Sequence, residues 1–67
     1  MSEEMLVEGI KENSKRIKVT LVQRGMTQVE LAHILSANPQ VLNRAIQGDM
    51  SPRSLQLRKR INQVLGI

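Results

Sequence analysis

Apolar side chains recur along this chain at intervals of three, four and seven rather than in strict alternation, a pattern that predicts helices. The clearest stretch is 27–48. Thr27 and Glu30 carry the reciprocal capping signature that opens a helix at Gln28, and Leu31, Ala32 and Leu35 then share one face. Ala32 is small where a second helix would have to cross closely, while Gln28, Glu30 and His33 point toward water or a ligand. Ser36, Ala37 and Asn38 read as a turn. Asn38 is a strong cap residue, and Pro39 suits the first helical position because its missing N–H costs nothing there. From Pro39 onward Leu42, Ala45 and Ile46 form the buried stripe. Gln40, Val41, Asn43, Arg44 and Gln47 occupy the opposite face, and Gly48 is placed to end the helix in a left-handed conformation.

The flanks extend this pair. Ser2, Glu3 and Glu4 make a helix start, and Leu6, Ile10, Ile17 and Leu21 define a stripe on one long helix over 3–23 that Gly25 terminates. Asn13 and Ser14 interrupt the stripe, so a second helix capped there and starting at Lys15 is the competing reading. After Gly48, Ser51 and Pro52 signal a last helix whose buried face is predicted from Leu57, Ile61, Val64 and Leu65, with Arg58, Lys59 and Arg60 as a basic run beside it and Gly66 as its stop. Together these elements predict an all-α, compact bundle of four to five short helices in a single domain over 1–67, with 1–14 as an N-terminal helical extension. That extension either covers the domain's own core or supplies a dimer contact.

Composition narrows the picture. At 67 residues the chain buries only about 60% of its unfolded surface, so its stability margin is small and a partner subunit is expected. No Phe, Trp or Tyr is present, which leaves a core of Leu, Ile, Val, Ala and Met. The absence of cysteine excludes disulfides, thiolate zinc sites and thiol nucleophiles. No run is apolar enough for a signal peptide or membrane span, so a cytoplasmic location is expected and no membrane partner. Charge is unevenly spread: residues 1–12 set four Glu against Lys11, whereas residues 13–67 carry nine Lys or Arg against Glu30 and Asp49. Polyanion binding by the basic part, or simply a solvated basic surface, follows from this split.

The run Thr27-Gln28-x-Glu30-Leu31-Ala32, a short turn and a helix ending at Gly48 resembles the lambda-repressor-like helix-turn-helix family of phage repressors, Cro-type proteins and bacterial regulators. The resemblance covers roughly residues 17–65. It implies a five-helix module whose third helix enters the DNA major groove. One position departs from the family pattern: the first turn residue, usually glycine, is Ser36, and a serine at positive φ costs about 1 kcal/mol.

On that resemblance the candidate DNA-binding residues are Gln28, Asn38, Pro39, Gln40, Val41, Asn43, Arg44 and Gln47. The family places backbone contacts at Gln28 and base contacts at Gln40, and a glutamine amide suits both because it offers a donor and an acceptor. Arg44, one turn beyond Gln40, has the reach and the fork of donors to grip guanine or phosphate. Val41 is placed either on a thymine methyl or partly buried against the turn. Arg58, Lys59 and Arg60 either neutralise flanking phosphates or form a solvated helix edge. His33 has no acidic partner at useful spacing, and no phosphate loop, paired carboxylates or Ser/His/Asp set occurs, so neither an enzyme nor a cofactor is expected. The resemblance implies a sequence-specific regulator of phage or mobile-element type acting on double-stranded DNA. The chain's small size and the three to four base pairs that one recognition helix reads lead to the expectation of a homodimer, with the apolar positions Met5, Leu6, Leu55 and Ile67 left over on the terminal helices as candidate contacts. A protein-interaction module of the same fold, such as an antirepressor that binds a larger repressor, is the alternative.

Overall fold

Side-chain caps and left-handed residues punctuate the chain into four helices. In the computed structural model, which describes the backbone of residues 3–67 and the side chains from Glu8 onward, these are α1 (Glu3–Arg24), α2 (Gln28–Leu35), α3 (Pro39–Gln47) and α4 (Pro52–Leu65). No strand occurs among the described residues. Ser2, the expected first cap, lies outside them. Thr27 accepts from the Glu30 amide at 3.1 Å while the Glu30 carboxylate accepts from the Thr27 amide at 3.3 Å, so the capping box is complete. Asn38 Oδ1 accepts from the Gln40 amide at 2.8 Å, and Ser51 Oγ accepts from the Ser54 amide at 3.3 Å. Both helices that follow begin with proline.

All four helices end the same way. A residue with positive φ follows each one, namely Gly25, Ser36, Gly48 and Gly66. The amide after it reaches back to a carbonyl of the last turn, as in Met26 to Leu21, Ala37 to Ala32, Asp49 to Arg44 and Ile67 to Asn62. Three of the four positions use glycine, which enters this region without steric cost. Ser36 does not, yet its φ of 52° and ψ of 41° are those of a left-handed cap.

The core is aliphatic throughout. Ile17 and Leu21 of α1, Leu31, Ala32 and Leu35 of α2, Leu42, Ala45 and Ile46 of α3, and Leu57, Ile61 and Leu65 of α4 form one cluster. Helix α3 packs against each of the other three, with Ala45 and Ala32 admitting close approach. The helix count therefore falls at the low end of the four to five expected, and α1, at 22 residues, is not short. It continues through Asn13 and Ser14 without a break, because those two side chains serve another helix instead of capping a new one. Ile10 is buried against the domain, as are Ser14 and part of Asn13, whereas Glu8, Gly9, Lys11 and Glu12 on the same stretch are exposed, and the side chains of Met5 and Leu6 lie outside the described residues.

The partner of Asn13 and Ser14 is Arg58. Expected on a basic surface run, it is instead 6% exposed. Its guanidinium donates to Asn13 Oδ1 at 2.6 Å, to Ser14 Oγ at 3.0 Å, to the Ile10 carbonyl at 3.4 Å and to the Ala45 carbonyl. Burial pushes its pKa below the ordinary arginine value. Asn13 in turn donates to Asn62 Oδ1 at 2.9 Å. The buried stripe of α4 thus runs Ser54, Leu57, Arg58, Ile61, Leu65, and Val64, expected within it, is 42% exposed. The reason is angular: positions 54, 58, 61 and 65 repeat at four, three and four and centre the face away from 64.

Arg58 is one of three arginines that reach the C-terminal carbonyls of a neighbouring helix. Arg60 donates to the Leu35 carbonyl of α2 at 2.8 Å and Arg24 to the Leu65 carbonyl of α4 at 2.6 Å. Each places a cation at the negative end of a helix dipole while satisfying a terminal acceptor. The buried Ser54 hydroxyl is satisfied by Asp49, whose carboxylate accepts from Ser51 Oγ at 2.6 Å and Ser54 Oγ at 2.5 Å and is held below the usual carboxylate range by those bonds.

Two stability measurements follow. Ser36→Gly relieves the left-handed strain and should stabilise the fold by about 0.5–1 kcal/mol, a rise of several degrees in thermal midpoint for a chain this small; an unchanged or lower midpoint would contradict the cap. Arg58→Met keeps the aliphatic bulk but strands the acceptors on α1 and α3. It should cost about 2–4 kcal/mol in denaturant unfolding, whereas a solvated Arg58 would give a change within about 0.5 kcal/mol.

Candidate nucleic-acid interface

The three-residue turn 36–38 sets α3 across α2 and leaves one long edge of α3 uncovered. Leu42, Ala45 and Ile46 face inward, so Gln40, Arg44 and Gln47, at spacings of four and three, emerge together on the outside and are all exposed. Gln28, at the start of α2, lies beside them: its Oε1 accepts from Asn43 Nδ2 at 3.0 Å. This bond ties the first turn of α2 to the middle of α3. Gln28, Val29, Pro39, Gln40, Asn43 and Arg44 border a shallow cleft of about 540 Å³ where the two helix starts meet. Side-chain amides and one guanidinium supply its hydrogen-bonding groups, and no carboxylate is among these bordering residues.

The sequence-derived site residues therefore divide. Gln40, Arg44 and Gln47 stand free on the surface as expected. Gln28 and Asn43 are bonded to one another across a partly buried contact, which leaves the Gln28 amide N–H groups as its outward offer and makes Asn43 the residue that positions it. Asn38 and Pro39 are exposed at the start of α3, but the Asn38 Oδ1 is already engaged as the cap. Of the two placements open for Val41 the structure takes the buried one: it is half-buried and packs against the core, because the buried arc of α3 is wide enough to take in the position preceding Leu42. That places it against the core rather than outward toward a thymine methyl.

The basic run of α4 also divides. Arg58 is internal, Arg60 bonds the end of α2, and Lys59 is exposed. Arg60 nevertheless borders, with Arg53 and Gln56, a second cleft of about 270 Å³ beside the turn residues Ala37 and Asn38. Cationic groups thus stand next to the start of α3 on the side away from Gln28. Reading the sequence alone missed this cleft, the Arg58 network and the exposure of Val29 at 67%. A cation on the α4 stripe and two polar residues on the α1 stripe were the available signals, and neither reveals its partner without the fold.

Of the dimer candidates, the side chains of Met5 and Leu6 lie outside the described residues, Leu55 is half-buried and Ile67 is partly exposed. His33 is exposed on α2. Among the described residues no group of three or more His, Cys, Asp or Glu is arranged to hold a metal ion, and no helix is long and apolar enough to cross a membrane. No protein-family model, curated protein or solved structure matches this chain.

Proposed function

We propose that this protein is a sequence-specific double-stranded-DNA-binding regulator of the helix-turn-helix type, in the manner of a phage or mobile-element repressor or a Cro-like switch. The observation that carries the reading is the outer edge of α3, where Gln40, Arg44 and Gln47 are presented side by side on a helix braced from behind by all three others. A single α-helix fits the major groove, and amide and guanidinium groups at its exposed positions are the donors and acceptors that base edges there demand. Arg44 takes guanine O6 and N7 or a phosphate, and Gln40 takes adenine or a neighbouring edge. Gln28, its carbonyl oxygen held by Asn43, turns N–H donors toward a phosphate on one side, and Arg53 and Arg60 neutralise phosphates on the other. Helix α3 of nine residues reaches only three to four base pairs, so two copies on one face of the duplex, with recognition helices about 34 Å apart, supply the selectivity that one lacks.

One observation favours a protein partner instead. Val29 is largely exposed within the same cleft and Ile34 is exposed on α2, and apolar groups there suit a protein surface, as in an antirepressor that pairs with a larger repressor.

Selection from random duplex DNA, followed by binding across a salt series, separates these readings. A reproducible inverted repeat and a log–log salt slope steeper than about −2, corresponding to two or more neutralised phosphates, are expected. Arg44→Ala should lower discrimination at one base position by about 1–3 kcal/mol while leaving the others intact. No enrichment together with a slope near zero would overturn DNA binding and leave the protein-partner reading.

A further inference from the structure

Helix α1 presents a second organised face that the DNA reading does not use. Gly9, Glu12, Arg16, Val19 and Gln23 repeat at three, four, three and four residues and are all exposed, the spacing of a helix seam that lacks its partner helix. Two clefts lie along this seam. One of about 240 Å³ is bordered by Gly9, Glu12, Asn13 and Arg16; the other, of about 500 Å³, continues from Glu12 and Arg16 past Val19 to Ile67. They share Glu12 and Arg16, so the depression is continuous along the helix.

Three features of this face have no partner among the described residues. Gly9 sits inside a helix, where glycine is a poor choice, yet its φ is not positive and a Cβ there would meet nothing within 4 Å. Val19 is 47% exposed, with Val22 and Ile67 also exposed nearby. On this side of the helix the charge order runs acidic then basic, with Glu8 and Glu12 before Lys15 and Arg16, whereas Lys11 and Lys18 lie toward the opposite side. A polar array of this kind is self-complementary only if a second copy runs the opposite way.

We propose that two copies of this chain dimerise through antiparallel pairing of their α1 helices, with Glu12 of each facing Arg16 of the other and Val19 of each seated over Gly9 of the other. Both layers share the same twofold axis, because the four positions are symmetric about residue 14. Such a contact is isologous, so each matched pair occurs twice. The missing side chain at Gly9 makes room for Val19, and the seam carboxylates Glu8 and Glu12 lie along the seam cations Lys15 and Arg16 of the partner. The pairing deepens the two-copy arrangement proposed for DNA recognition and in that respect rests on it, but its chemistry lies wholly on α1 and needs no DNA.

Sedimentation equilibrium of the full chain without DNA tests it, comparing wild type, Glu12→Arg, Arg16→Glu and an equimolar mixture of the two variants. Both positions are exposed, and circular dichroism verifies that helicity is kept. Wild type should dimerise and dissociate more readily between about 20 mM and 0.5 M salt, since exposed ion pairs are screened. Each single variant sets like charges opposite one another twice and should raise the dissociation constant about tenfold or more. The mixture should restore association as a heterodimer, because one chain then carries cations at both positions, the other carries carboxylates at both, and every facing pair is again of opposite sign. A monomeric wild type at high concentration, variants that dimerise as well as wild type, or a mixture no tighter than either variant alone would each overturn the proposal. None of those outcomes touches the α3 edge, so the DNA reading is judged separately by its own selection experiment.

Discussion

A buried arginine held by neutral acceptors ties this small fold together. Arg58 brings a full positive charge into an aliphatic bundle and spreads it over four groups: the backbone of Ile10, the side chains of Asn13 and Ser14, and the carbonyl of Ala45. Burying a cation is costly unless its donors are satisfied and its charge finds opposing dipoles. The last turn of α3 supplies such a dipole, since Ala45 O also accepts from the Gly48 amide at the negative end of that helix. Nε of Arg58 is buried without a partner among the described residues, which is part of the remaining cost. Set against that cost, one side chain of α4 fixes α1 and α3 at once. For a chain of 67 residues without disulfide, Phe, Trp or Tyr, such cross-bracing supplies rigidity that a larger core would otherwise provide.

The same bonding decides which charges are left for a partner. Arg58 is buried, and Arg24 and Arg60 each give one N–H to a helix end while keeping their charge at the surface, so the basic composition overstates the freely available cation by Arg58 above all. Arg44 remains outward on α3, Arg53 is exposed beside the turn, and Lys15, Arg16 and Lys18 line α1. The surface therefore carries two distinct polar faces. The α3 edge combines amides with one guanidinium, and the α1 seam sets acid before base along its length. The proposed DNA contact rests on the first and the proposed pairing of two copies on the second.

Local signals were legible in the sequence and distant partnerships were not. Thr27 with Glu30, Asn38 with Pro39, Ser51 with Pro52 and the glycines at 25, 48 and 66 act over one helical turn, so each marks its boundary regardless of the tertiary fold. Ser36 shows tertiary context winning over a local preference: the three-residue turn requires a left-handed residue and the packing of α2 on α3 holds serine there. Arg58 was misread for the opposite reason, and the continuous helix through Asn13 and Ser14 was read correctly without its bonding partner being visible. A basic run taken alone looks like surface and a polar interruption taken alone looks like a cap, and only the crossing of α1 and α4 makes them donor and acceptors of one network. Val64 was misplaced, and Val41 was left open, because a stripe inferred from spacing alone is uncertain by about one position at its margins.

If the α3 edge, with Gln28 beside it, reads DNA, the amide NMR spectrum of the protein must report it as a duplex carrying the selected site is added. The largest shift changes should fall at residues 27–29 and 39–47, with smaller ones at Arg53, and the inward residues Leu42, Ala45 and Ile46 should change little beyond what the helix as a whole carries. Saturating duplex that leaves 39–47 unmoved, or that shifts α1 alone, would contradict a DNA-reading α3.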